Sequence, residues 1–176
     1  APVPVEVKVS EPPDANPGHD GLYEAGLPDG TDSASGHDKA TGYLSVDFNG
    51  STMAGTVTGF VQASGATSVT ITENATSYVV DGGYFVMTVD KATGDYVATL
   101  LDNTPLHDGV DLGNDQDALP YTFTYTVTNA DGLSDSSTFT LNIADDRPEA
   151  YNDVNWVEKG ETVTGNEMDN DQQGAD

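Results

Sequence analysis

Thirty acidic residues stand against five basic ones, a formal charge of −25, in a chain whose apolar residues alternate with the period of a β-strand. An excess of acid on that scale repels itself, and a chain with little to bury stays unfolded. The alternation argues otherwise: Tyr121-Thr122-Phe123-Thr124-Tyr125-Thr126-Val127 keeps a strict period of two with one aromatic face. The carboxylates fall mainly in Gly-, Asn- and Pro-rich stretches between such runs. A compact state therefore needs counter-ions built into its loops, where hard oxygen ligands can converge on Ca²⁺. The expectation is a calcium-stabilised, all-β domain.

The strands predicted from periodicity run from Pro2 to Val9, Gly42 to Phe48, Thr56 to Val61, Ser68 to Thr72, Ser77 to Val80, Tyr84 to Val89, Tyr96 to Leu101, Tyr121 to Thr128 and Ser137 to Ile143. Pro2 and Pro4 suit an edge position, because proline donates nothing to a ladder. Turn residues at this spacing argue for an antiparallel β-sandwich. The last two strands form a hairpin through Asn129-Ala130-Asp131-Gly132. After Asp145-Asp146-Arg147-Pro148 the texture changes, since an acidic pair followed by proline ends a strand and starts a stiff connection. Residues 1–148 read as one module. Residues 149–176 read as a linker and the start of a following one, docked on the first, with short strands near Val154 to Val157 and Thr162 to Thr164.

Several function classes fall away. Without cysteine there are neither disulfides nor thiolate metal sites. No apolar run approaches the roughly 18 residues of a membrane span, and an acidic surface repels nucleic acid and anionic lipid. A soluble segment of a longer protein is expected. The three histidines each precede an aspartate, at His19, His37 and His107, but lie far apart with no cysteine or second histidine close by, so zinc is disfavoured. No Gly-x-Ser-x-Gly elbow occurs, carboxylate pairs are too abundant to single out a glycosidase, and no enzyme is expected. Trp156 and the tyrosines could form platforms for sugar or peptide, although alternating Tyr is more often core packing.

Glu24-Ala25-Gly26-Leu27-Pro28-Asp29-Gly30, Leu101-Asp102-Asn103 with His107-Asp108-Gly109, Tyr121 to Asp131-Gly132, and Asp145-Asp146-Arg147-Pro148 occur in an order that resembles the repeat domain of giant type I-secreted RTX adhesins of Gram-negative bacteria. The resemblance covers roughly residues 20 to 148, and Asn166 to Asp171 resembles the opening of the next repeat. It implies an extracellular, cell-surface fibre of cadherin-like or immunoglobulin-like modules stiffened by Ca²⁺, with roles in attachment and biofilm. Some modules of such adhesins bind ligands, including a calcium-dependent peptide-binding type and lectin types. Two features depart from the pattern: a long Pro12 to Gly21 segment, and Asn129 where Asp is usual, which puts one metal ligand in question. The Gly-Gly-x-Gly-x-Asp nonapeptide of the β-roll is absent.

Four acidic groups are candidate metal sites. Asp145, Asp146, Asn152 and Asp153 flank the module boundary, where an interdomain calcium cage needs ligands from both sides. Asp131 and Asp135 occupy the hairpin region, and Glu24 with Asp29 could reach the same end of the sandwich. The densest group lies between Leu101 and Pro120. There Asp108, Asp111, Asp115 and Asp117 are candidate calcium ligands and, with Asp102, the candidate ligand-binding residues. A loop of that length inside a domain is usually functional or disordered, and an exposed metal in it could grip a carboxylate or hydroxyl directly. Two roles are therefore expected: a calcium-dependent binder of a peptide or glycan on a host or neighbouring cell, or a calcium-rigidified spacer. In either role the module works as a monomer beside adjacent adhesin modules.

Overall fold

A computed structural model describes residues 9, 21–48, 54–107, 118–146, 148–166, 168–172 and 174–175. The strands are β1 (Leu22–Tyr23), β2 (Lys39–Tyr43), β3 (Thr56–Gly65), β4 (Thr70–Glu73), β5 (Ser77–Asp81), β6 (Phe85–Asp90), β7 (Asp95–Leu100), β8 (Ala118–Thr128) and β9 (Ser134–Ala144), with a single 3₁₀ turn over Glu24–Gly26. They form two sheets, ordered β1-β9-β8-β3 and β2-β7-β6-β5-β4, which pack as a β-sandwich. No α-helix occurs among the described residues.

The two inner faces are written in the alternation. Tyr121, Phe123, Tyr125 and Val127 of β8 and Phe139, Leu141 and Ile143 of β9 are buried, and so are Phe85, Met87 and Val89 of β6 and Tyr96, Ala98 and Leu100 of β7. Aromatic pairs join one sheet to the other: Phe85 meets Tyr121 at 4.9 Å between ring centroids, Tyr96 meets Phe139 at 4.8 Å, and Phe60 meets Tyr78 at 5.9 Å. Such pairs add about 0.5–1.5 kcal/mol each beyond the area they bury. The expected hairpin is present, with Phe123 opposite Phe139 and Val127 opposite Asp135. Its turn is held by Asn129, whose Oδ1 accepts the amides of Asp131 and Leu133 at 3.0 Å each.

The expected antiparallel β-sandwich is present; among the described residues one strand pair departs from it, β1 running parallel to β9 with Leu22 opposite Ile143 and Tyr23 opposite Ala144. Other expectations are corrected. The strand expected over Gly42 to Phe48 lies earlier, as β2, because the backbone beyond it bonds to loops; Leu44 donates to the Gly94 carbonyl and Val46 accepts from Gly55, both at 2.8 Å. Phe48 makes only an isolated bridge to Val9. The strands expected near Val154 to Val157 and Thr162 to Thr164 do not form, and those residues are exposed with no partner strand among the described residues. The C-terminal stretch is tied back by a bridge between Glu149 and Gln172 and by Ala175, which packs against the core. Residues 2–8 and 12–20 of the predicted N-terminal segments lie outside the described residues.

Candidate functional site

The parallel register of β1 on β9 decides which acids meet. Tyr23 lies opposite Ala144, so the next residue on each chain, Glu24 and Asp145, leaves the sheet at the same end. The chain after Tyr23 coils into the 3₁₀ turn, closed by a 2.9 Å hydrogen bond from the Leu27 amide to the Glu24 carbonyl. Both glycines of the Glu-Ala-Gly-Leu-Pro-Asp-Gly motif are required by close approach: a Cβ at Gly26 would strike the backbone of His37 and Asp38, and one at Gly30 the carbonyls of Glu24 and Ala25. The turn this compact path makes leaves the Glu24 side chain 0 % exposed.

A third segment closes over it. β7 ends at Leu100, and the chain beyond returns so that the amide of Thr104, itself buried, donates to Glu24 Oε1 at 2.6 Å. Three residues later the Nε2 of His107 lies 3.5 Å from the same oxygen, with its side chain 5 % exposed. One ligand-type atom from each of Glu24, His107 and Asp145 falls within 4.8 Å of the other two. The other carboxylate oxygen of Glu24 is buried and has no hydrogen-bond partner among the described residues. A buried polar oxygen left without a donor costs about 1–3 kcal/mol. A bound cation would relieve that cost.

Asp146, the next residue, is engaged differently. Its Oδ2 accepts the amides of Thr31 and Ala175, both at 2.9 Å, and its Oδ1 accepts the Thr31 hydroxyl. Both oxygens already have protein donors, so this carboxylate ties loops together. Asn152 and Asp153 are exposed. Asp29 and Asp131 lie exposed in turns. Asp135 sits at the far end of β9 and accepts the Val9 amide at 2.7 Å, so the hairpin and boundary groups do not share an end. Asp102 is exposed and accepts the amide of Asn103 at 3.0 Å. Asp108, Asp111, Asp115 and Asp117 lie outside the described residues.

Calcium takes 6–8 oxygen ligands. Among the described residues this end of the sandwich offers the carboxylates of Glu24 and Asp145 and an imidazole, and the fit to an oxygen cage is partial. His107 is the member that the sequence reading passed over as a ligand. Its only local signal is the aspartate that follows it, a feature shared with His37, which is exposed. Comparison with protein-family models, with curated proteins and with solved structures found no match to this chain.

Proposed function

We propose that this chain is a cation-braced spacer module of a bacterial cell-surface adhesin, secreted by the type I route and acting outside the cell. The observation that carries this reading is the end-to-end course of the chain. Val9 meets the sandwich at Asp135, near the start of β9, whereas Asp146 and the Ala175 amide that it holds lie beyond the other end of that strand. An 11-residue strand separates these points by about 34 Å. Modules joined in that way extend a fibre by their full length. The carboxylate–imidazole group lies at the exit, where a bound divalent cation would lock the loops that set the direction of the following segment. Calcium is the ion that the resemblance implies.

The alternative role, binding a peptide or glycan, draws less support from the described residues, where Asp102 is exposed and its carboxylate caps its own neighbour. No catalysis belongs to this reading. Thermal melts of protein stripped by a chelator, then resupplied with single divalent ions, test the brace. A rise in melting temperature with at least one ion is expected, because an ion that binds only the folded state stabilises it by mass action. Identical curves for stripped and resupplied protein would remove it. Arrays of peptides and glycans, probed with and without the ion, test the spacer role; a cation-dependent hit would replace it with ligand binding.

A further inference from the structure

We propose that Glu24, His107 and Asp145 form a mixed nitrogen–oxygen site for a divalent ion of the zinc class, in place of the all-oxygen calcium cage. The inference rests on the reading of the chain as a cation-braced module and identifies the ion. Its independent support is the Glu24 side chain, 0 % exposed, with one carboxylate oxygen that no group among the described residues partners.

The donor set favours such an ion. Imidazole is a ligand for zinc and its first-row neighbours, whereas calcium selects oxygen. Three protein donors with one open position make the usual zinc site that retains a water. Zinc–ligand bonds near 2.0–2.1 Å in a tetrahedron place adjacent donors about 3.3 Å apart, and His107 Nε2 lies 3.5 Å from Glu24 Oε1. Calcium would need several more oxygens, and among the described residues the neighbouring side-chain oxygens are engaged. Both oxygens of Asp146 are held by Thr31 and Ala175, and the Thr104 hydroxyl accepts the Leu106 amide at 3.3 Å. The burial of Glu24 and His107 also limits the water that could complete a shell of 6–8. The sequence held no second histidine or cysteine near His107; the fold supplies carboxylates from two distant segments instead.

The metal-stripped protein, titrated with Co²⁺ as a spectroscopic stand-in and melted with Zn²⁺ or Ca²⁺, provides the test. One Co²⁺ per chain is expected to give the intense visible absorption of low coordination, and excess Ca²⁺ should not displace it. Zn²⁺ at a hundredfold excess over its Kd should raise the melting temperature by about 5–10 °C. His107→Gln should weaken Co²⁺ binding by more than about tenfold, while His37→Gln leaves it unchanged; Asp145→Asn serves as a second ligand variant should His107→Gln fail to fold. If Ca²⁺ stabilises the protein as well as Zn²⁺, or if His107→Gln and Asp145→Asn bind Co²⁺ as before, the zinc-class assignment fails and the brace stands. If no divalent ion shifts the melt, both fail.

Discussion

Asp146 holds Thr31 through both of its carboxylate oxygens, 115 positions apart in the chain, with the Thr31 amide on Oδ2 at 2.9 Å and the Thr31 hydroxyl on Oδ1. The Ala175 amide joins at Oδ2. One carboxylate, 3 % exposed, thus pins the loop after the 3₁₀ turn and the returning C-terminal stretch to the end of β9. Removing the carboxylate would leave the buried Ala175 amide and the half-buried Thr31 amide without an acceptor.

Asp146→Ala is accordingly expected to cost about 3 kcal/mol, which for a domain of this size lowers the melting temperature by about 10 °C. The loss should persist in chelator, because this carboxylate is occupied by protein donors. Chemical denaturation with and without chelator measures both. An equal stability of variant and parent in chelator would contradict the pinning role.

Glu24→Gln should separate folding from metal binding. The amide keeps an acceptor for Thr104 and replaces the carboxylate oxygen that lacks a donor, so the stripped variant is expected to be more stable than the stripped parent by roughly 1 kcal/mol. The increment that the parent gains from its ion should vanish. Paired melts in chelator and in metal read the two effects, and a variant that retained the full metal increment would exclude Glu24 as a ligand.

Tyr125 provides a pH dependence. Its side chain is fully buried in the inner face of β8, and burial pushes its phenol up to about 12, an effect that nearby Ser137 and the Ser45 backbone offset only in part. A folded value raised above the ordinary one near 10 means that the folded state keeps the proton more tightly than the unfolded chain. Its contribution is complete below about pH 10 and is lost as pH rises from there through about 12, an order of 2–3 kcal/mol in all. Stability measured across that window should fall more steeply in the parent than in Tyr125→Phe. Parallel slopes would show that this phenol ionises normally.

Two glycines distinguish a strained backbone from a crowded one. Gly94 has φ +80° and faces the Leu44 carbonyl, against which a Cβ would collide; Gly83 has φ +85° with open space around it. Gly83→Ala is expected to cost about 1 kcal/mol for the left-handed conformation alone. Gly94→Ala carries that cost plus the displacement of the backbone that ends β2, and should cost about 2–3 kcal/mol. Denaturant midpoints compare them, with equal losses counting against the steric argument.

The strands were legible because the signal is local. Alternation along Tyr121 to Val127 states which residues face inward whatever the rest of the chain does, and the Asn129 to Gly132 turn states where the ladder reverses. The edges were less legible. Gly42 to Phe48 carries a strand-like pattern, yet its backbone bonds to Gly94 and Gly55 outside any ladder. Val154 to Val157 has strand-forming residues and no partner strand among the described residues. Hydrophobic alternation cannot report whether a neighbour exists, and a strand is defined by its neighbour.

The acids divide along the same line. Composition alone determined that this chain must manage a large negative charge in the loops of a β-sandwich, since nothing else in it could balance thirty carboxylates with five cations. Which carboxylates meet was decided by tertiary structure. The parallel seating of β1 on β9 sets Glu24 beside Asp145, and the return of the chain after β7 brings Thr104 and His107 onto Glu24. Asp135, grouped by sequence with the same end, is carried to the opposite one by the length of β9. Contacts between residues 80 positions apart depend on how strands are ordered and registered. That order is set by the packing of whole sheets, and no local pattern encodes it.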